Sequence, residues 1–145
     1  MTISVDGFDA DVLIYAAAPG HPLGRRVKAL FPTEPGDVEV PQTGVGSLLL
    51  LPELLSKPTL AGDGRQLDSL ISLLRQLDLR PIDVATAELA TSLGARYSLR
   101  AVDAVHLATA VHAGADRFVT NNTKHFKQSI VEIDVTYALD LADPG

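Results

Sequence analysis

The sequence predicts an α/β fold in which a mainly parallel sheet is covered by helices on both faces. Short apolar segments of strand type alternate along the chain with longer segments in which apolar residues recur every three or four positions. Alternation of this kind is typical of βαβ units, whose strands lie parallel. With 145 residues and 46% hydrophobic content, the chain has the size of one domain and can bury a core. We therefore predict a single domain that spans residues 1–145.

Proline and glycine divide the first part of the chain into short elements. Pro32 and Pro58 each follow an apolar run and are expected to end a helix, because proline lacks the N–H that a helix interior needs. Residues 32–46 are rich in proline and glycine and are predicted to be mostly loop. The predicted elements are a strand at 3–8, helices at 11–17 and 21–31, a brief strand at 38–40, and a helix that contains Glu53 and ends at Ser56.

The clearest helical pattern follows a predicted turn at 62–64. Apolar residues recur there at three- and four-residue steps, as the buried face of an amphipathic helix requires. They are Leu67, Leu70, Ile71, Leu74 and Leu77. Gly114 is expected to close a later helix, because glycine readily adopts the left-handed conformation found after helix ends. The other predicted elements are strands at 80–83, 117–120 and 130–135, and helices at 85–97 and 101–113.

Composition excludes several kinds of chemistry. The chain has no cysteine, which excludes a thiolate nucleophile, and its four histidines show no zinc-type spacing. The apolar runs at 12–18 and 45–51 are too short to span a bilayer, and a signal peptide would need basic residues where Asp6, Asp9 and Asp11 stand. The sequence thus predicts a cytoplasmic protein without membrane contact.

The net charge of −6 argues against broad nucleic-acid binding driven by counterion release, so any nucleic-acid contact must be local. Arg25 and Arg26 on an early helix, together with Lys124 near the last strands, could form a basic rim around an acidic centre. Short basic runs are also common on solvated helix faces and turns, and that interpretation stays open.

Polar oxygen ligands recur where one structural unit gives way to the next. Asp9 and Asp11 stand between an apolar strand and a helix, Glu53 and Asp103 lie near helix starts, and Asn122 follows the strand at 117–120. Each alone could be a helix-capping or turn residue. Carboxylates gathered from distant segments repel one another unless a hard divalent cation lies between them. Mg²⁺ or Mn²⁺ held in this way favours phosphodiester hydrolysis.

The order of these segments resembles a known family. The segments are Asp9-Ala-Asp-Val-Leu-Ile-Tyr, Leu-Pro-Glu53-Leu-Leu-Ser-Lys-Pro, Val-Asp103-Ala-Val-His-Leu-Ala-Thr-Ala, and Phe-Val-Thr120-Asn-Asn122-Thr-Lys-His-Phe. Over nearly its whole length the chain resembles the PIN-domain nucleases, and among them the VapC-type toxins of bacterial toxin–antitoxin systems. The resemblance implies a flavodoxin-like α/β/α sandwich and a Mg²⁺- or Mn²⁺-dependent endoribonuclease. It also implies that Asp9, Glu53 and Asp103 bind the metal.

The resemblance also carries expectations about partners and about two departures. Asn122 stands where many relatives have a fourth aspartate, and Ala10 stands where a hydroxyl residue is frequent. Asp11 stands where relatives often have asparagine, so it restores the charge of the set but not its geometry. Thr120 is expected to orient a ligand or a water. VapC-type proteins usually form homodimers and are inhibited by a small antitoxin whose basic residue enters the acidic site. We therefore expect RNA, an antitoxin and a second copy of the chain as partners.

Two alternatives remain open from the sequence. Asp9 and Asp11 could be the nucleophile and general acid of a haloacid-dehalogenase-like phosphatase. That alternative leaves Glu53 and Asp103 without a role, and the chain lacks a clear later acidic motif to hold magnesium. The other alternative is a PIN-like binding module without catalysis, motivated by Asn122 and the acidic surface. Stabilisation by Mn²⁺ would separate a catalytic site from such a module.

Overall fold

Five short strands form one sheet in the computed structural model, which describes residues 5–31 and 43–145. The strands are β1 (Asp6–Phe8), β2 (Gly44–Ser47), β3 (Leu77–Arg80), β4 (Arg117–Thr120) and β5 (Asp134–Tyr137). They are arranged in the order β3-β2-β1-β4-β5, and every pairing is parallel. All carboxyl ends therefore lie along the same edge. The chain order reverses between β1 and β4, which is where open α/β sheets place their crevice.

Helices cover both faces of this sheet. They are α1 (Ala10–Ala17), α2 (Pro22–Lys28), α3 (Leu50–Ala61), α4 (Gly64–Leu74), α5 (Val84–Tyr97) and α6 (Ala101–His112), followed by a short 3₁₀ helix at Ala138–Asp140. Helices α1, α2, α3 and α4 pack against the sheet in one hydrophobic core, and helices α5 and α6 pack against it in a second. Within β4, Val119 belongs to the first core and Phe118 to the second, as the alternation of a strand requires. The α/β/α sandwich with a parallel sheet is confirmed.

Helix α6 packs directly on β1, and this contact positions the site. A Cβ atom at Gly7 would lie 2.6 Å from the Cβ of Ala110, so only glycine fits at that point of β1. The close approach brings the first turn of α6, with Asp103, to the carboxyl end of β1, where Asp9 follows.

Two proline- and glycine-dependent predictions differ from the structure. Helix α3 continues through Pro58 to Ala61, although Pro58 was expected to stop it. Leu50, Leu54 and Pro58 are all buried at four-residue spacing, and this burial offsets the cost of the proline. Strand β2 lies in a segment that was predicted as loop. It pairs with β1 because Gly44 allows a close approach: a Cβ there would lie 2.3 Å from the carbonyl oxygen of Asp6.

Other differences concern the ends of elements. Strand β3 begins at Leu77, earlier than the predicted 80–83, so Leu77 belongs to the sheet rather than to α4. Strand β5 is Asp134–Tyr137 rather than 130–135, because Ile130 and Ile133 are buried in the core ahead of the strand. Helix α2 ends at Lys28, before the predicted residue 31. The strand predicted at 38–40 lies outside the described residues.

In the part of the chain that the structure describes, none of the helices has the length and apolar character needed to cross a membrane.

Candidate active site

Four acidic side chains line one cavity of about 430 Å³ at the carboxyl edge of the sheet. They are Asp9, Asp11, Glu53 and Asp103, and Asn122 lines the same cavity. They come from four segments of the chain: the start of α1, the first turns of α3 and α6, and the loop after β4. The structure thus brings together the oxygen ligands that the sequence placed at successive strand and helix boundaries.

Asp9 is the most enclosed of these carboxylates, with 5% of its surface exposed. It caps α1, since Oδ1 accepts from the N–H of Ala10 at 2.9 Å, and Oδ2 accepts from the hydroxyl of Thr120 at 2.8 Å. Burial raises the pKa of Asp9, and the charge of Asp103 adds to the rise, while His106 and the two hydrogen bonds act against it. Asp9 therefore lies where a negative charge is unfavourable.

Asp11 lies two residues further along, in the first turn of α1. Its two carboxylate oxygens accept from the backbone N–H of Asn121 at 3.1 and 3.3 Å. Burial, followed by the charge of Asp9, raises the pKa of Asp11 to about 7. The α1 end of the cavity thus holds two carboxylates whose charges oppose each other.

Glu53 is held by His106, a residue that sequence reasoning did not assign to the site. The Nε2 of His106 lies 3.1 Å from Oε1 of Glu53, and because a carboxylate only accepts, Nε2 carries the proton. The His106 side chain is fully buried, and its Nδ1 has no hydrogen-bond partner among the described residues. His106 follows Asp103 by three positions on α6, so the two side chains share one face of that helix.

Asp103 contacts Arg100, which the sequence analysis also missed. The Nε of Arg100 donates to Oδ2 of Asp103 at 3.2 Å, and Arg100 itself lines the cavity. Asp103 is buried, whereas 71% of the Arg100 side chain is exposed.

Asn122 forms two hydrogen bonds with His125. Its Oδ1 accepts from the backbone N–H of His125 at 3.2 Å, and its Nδ2 donates to Nδ1 of the same ring at 3.0 Å. The backbone N–H of Asn122 also donates to the hydroxyl of Thr120 at 3.1 Å. Thr120 is fully buried and thereby joins the loop after β4 to Asp9.

The predicted basic residues are not among those that line the cavity. Arg25 donates to the carbonyl of Gly145 at 2.5 Å, and Arg26 donates to the carbonyls of Leu139 and Leu141 at 2.9 and 2.8 Å. Both side chains thus tie α2 to the C-terminal segment. Lys124 is exposed in the loop after β4 and is also absent from the cavity lining.

The donor set fits a hard divalent cation. All its ligands would be oxygens, and the raised pKa values of Asp9 and Asp11 reflect burial and repulsion that a cation would relieve. Across residues 5–31 and 43–145, no three acidic or histidine side chains already surround a common point as metal ligands. Glu53 and Asp103 instead contact His106 and Arg100, each through one carboxylate oxygen.

The fold and the cavity together define a three-layer α/β/α protein with an acidic site at the switch point of its sheet. The sequence model of the PIN domain family matches residues 8–129, and the chain belongs to that family. Membership supports a nuclease, a hydrolase of phosphodiester bonds, and PIN domain nucleases generally use divalent metal ions.

Solved structures agree with this assignment. A chain of a toxin–antitoxin complex from Klebsiella pneumoniae is 25% identical, with a TM-score of 0.69 over 93% of this chain and 98% of that one. A chain of VapBC2 from Rickettsia felis, bound to a DNA fragment from their promoter, is 17% identical, with a TM-score of 0.63 over 92% and 98%. Comparison with curated proteins gave no match. The resemblance to VapC-type PIN domains is confirmed.

Proposed function

We propose that this protein is a Mg²⁺- or Mn²⁺-dependent endoribonuclease and the toxin of a type II toxin–antitoxin system. The observation that supports this proposal most is the convergence of Asp9, Asp11, Glu53 and Asp103 in one cavity of a PIN domain. A site with so much buried negative charge cannot receive a phosphate unless a cation is bound first. We also propose that residues 1–145 form one PIN domain, and that an RNA substrate places the reaction in the cytoplasm.

In this proposal Asp9, Glu53 and Asp103 hold the cation, with Asp11 and Asn122 beside it as supporting and catalytic groups. When bound, Mg²⁺ or Mn²⁺ lowers the pKa of a coordinated water and neutralises charge on the phosphate oxygens. The chain's own residues supply the positioning. Hydrolysis by water does not require the 2′-hydroxyl, so RNA preference comes from the shape and positioning of the substrate.

Two contacts of the structure serve that positioning. Thr120 donates to Asp9 and fixes the orientation of its carboxylate. The Nε2–H of His106 directs Glu53 in the same way, and such outer hydrogen bonds commonly tune metal ligands. Lys124, two residues after Asn122, remains a proposed weak contact for the substrate backbone. The same role for Arg25 and Arg26 would require them to leave the C-terminal segment.

The partners follow from the neighbours and from charge. Both neighbouring structures are toxin–antitoxin complexes, which supports a cognate antitoxin for this chain. A basic antitoxin side chain that entered the cavity would meet the carboxylates as Arg100 meets Asp103. We propose a homodimer on the basis of the family resemblance.

A PIN-like binding module without catalysis is the second candidate. The observation that favours it is the pair formed by Asn122 and His125, because it occupies both polar ends of the Asn122 amide. Glu53 and Asp103 line the same cavity as Asp9 and Asp11, which disfavours the phosphatase alternative because that mechanism gives them no role.

The decisive experiment incubates the purified protein with structured RNA and with single-stranded DNA, in Mg²⁺, in Mn²⁺ and in EDTA, and maps the cut sites. We expect RNA cleavage that requires the metal and is lost in Asp103→Asn. Without metal this variant should melt at or above the wild-type temperature, because it removes one repelling charge. A helix-capping role alone predicts a lower melting temperature with cleavage retained. Wild-type protein that neither cleaves RNA nor is stabilised by Mn²⁺ supports the binding module.

A further inference from the structure

The side chain of Arg100 differs in kind from the rest of the cavity. Among the described residues that line it, Arg100 is the only one with a positive charge. A nucleic-acid phosphate that enters this cavity would otherwise meet four carboxylates, even after one cation has offset part of their charge. The position of this guanidinium therefore bears on how a polyanion can be received at all.

Arg100 is anchored through one nitrogen and presents the others. Its Nε donates to Oδ2 of Asp103 at 3.2 Å, and within residues 5–31 and 43–145 neither Nη nitrogen has a hydrogen-bond partner. The side chain lines the cavity and is 71% exposed, so its guanidinium is accessible from solvent. The planar fork of arginine matches two oxygens of a phosphate, and such charge-assisted pairs are strong.

Arginine is an unfavourable residue type at the helix position that Arg100 occupies. It is the N-cap of α6 and forms no side-chain capping hydrogen bond there. Serine, threonine, asparagine and aspartate are favoured at this position, and a positive charge at a helix N-terminus opposes the helix dipole. A residue that does not cap its own helix, yet lines the cavity, indicates a role in binding.

We propose that Arg100 binds a phosphate of the nucleic-acid substrate beside the bond that is cut. Asp103 holds the guanidinium at Nε in the resting protein, and the free Nη groups receive the phosphate oxygens. This inference rests on the proposed nuclease function. It assigns the phosphate contact inside the cavity to Arg100, whereas the basic residues expected from the sequence do not line the cavity.

The test compares Arg100→Ser with Arg96→Ser. Arg96 lies on α5, pairs with Glu132 at 2.8 Å and is 62% exposed, but it is not among the residues that line the cavity. Both variants remove one exposed arginine and change the net charge equally. Cleavage of a single-stranded RNA is measured in Mn²⁺ at several salt concentrations, and melting temperatures are measured with and without Mn²⁺.

We expect Arg100→Ser to lower kcat/KM by about 10- to 100-fold, mainly through a higher KM, because a charged hydrogen bond to phosphate is lost. The slope of log kcat/KM against log salt should become shallower by about 0.7, the value for one lost contact to a single strand. Arg100→Ser should keep its stabilisation by Mn²⁺, which shows that the cation site is intact. Arg100→Lys should restore the salt slope, and Arg96→Ser should match wild type in both kinetic readouts.

An unchanged KM and salt slope in Arg100→Ser, with wild-type cleavage intact, would overturn this inference alone. Equal effects of Arg100→Ser and Arg96→Ser would also overturn it, because they would show a general effect of charge. Wild-type protein that cleaves neither RNA nor DNA in Mn²⁺ would overturn the proposed function together with this inference.

Discussion

Replacing Asp11 by asparagine tests whether the cavity stores electrostatic strain in the absence of metal. The pKa of Asp11 is raised from 3.8 to about 7, with burial as the first cause and the charge of Asp9 as the second. A difference of this size corresponds to about 4 kcal/mol of folding free energy at a pH where the group is ionised in both states. Asparagine has nearly the same shape and carries no charge.

The sign follows from the protons bound by each state. Between pH 4 and pH 7 the folded protein holds a proton on Asp11 that the unfolded chain releases, so folding is favoured by acid in this window. Stability is lost as pH rises through 7, and the full cost is present at pH 8. Asp11→Asn avoids that cost but weakens the hydrogen bonds from the N–H of Asn121, worth about 1 kcal/mol.

We therefore expect Asp11→Asn to be about 2 to 3 kcal/mol more stable than wild type at pH 8 in EDTA, and about equal to it at pH 4. The measurement is urea unfolding at both pH values. Asp68→Asn is the control, because Asp68 is exposed on α4 and its replacement should change stability by less than about 0.5 kcal/mol. The account of strain would be refuted if Asp11→Asn were less stable than wild type at pH 8. It would also be refuted if the variant were stabilised as much at pH 4 as at pH 8.

Three further predictions concern other contacts. His106→Ala frees the carboxylate of Glu53, and we expect the Mn²⁺ concentration for half-maximal thermal stabilisation to rise about 10- to 100-fold; an unchanged value would show that His106 does not orient Glu53. Asn122→Asp adds an anionic ligand and should lower the Mg²⁺ concentration for half-maximal cleavage, whereas a higher or equal value would contradict this. Gly7→Ala places a Cβ 2.6 Å from the Cβ of Ala110 and should cost about 1 to 3 kcal/mol of stability in urea unfolding; wild-type stability would disprove the close packing.

The sequence predicted elements whose signal is local and missed those that depend on distant neighbours. The apolar stripe of α4 and the strand at Arg117–Thr120 both follow from short-range patterns, and both occur in the structure. Strand β2 could not be predicted in this way. Its glycines look like loop residues until Asp6 and Phe8 of β1 are known to lie against Gly44.

For the site, too, the sequence predicted what depends on local pattern and missed contacts with distant residues. The prediction that oxygen ligands come together depended on where each stands relative to a strand or helix boundary, and such boundaries are readable in the chain. The roles of these residues stay predictions. The sequence could have placed His106 at the site, because it follows Asp103 by three positions on a helix. The contacts of Arg25 and Arg26 had no such signal, since their partners lie more than a hundred residues away in sequence.

The hydroxyl of Thr120 makes the way Asp9 is held differ from the way Glu53 and Asp103 are held. It joins Asp9 to the backbone of Asn122, so it links the residues that follow β1 and β4. The carboxylates of Glu53 and Asp103, in contrast, form hydrogen bonds within the described part of the chain only to the side chains of His106 and Arg100. The carboxylate of Asp9 is thus oriented through Thr120, a strand residue, before any ligand arrives. Because the orientation of Asp9 is fixed in advance, less side-chain entropy is lost when a ligand binds to it.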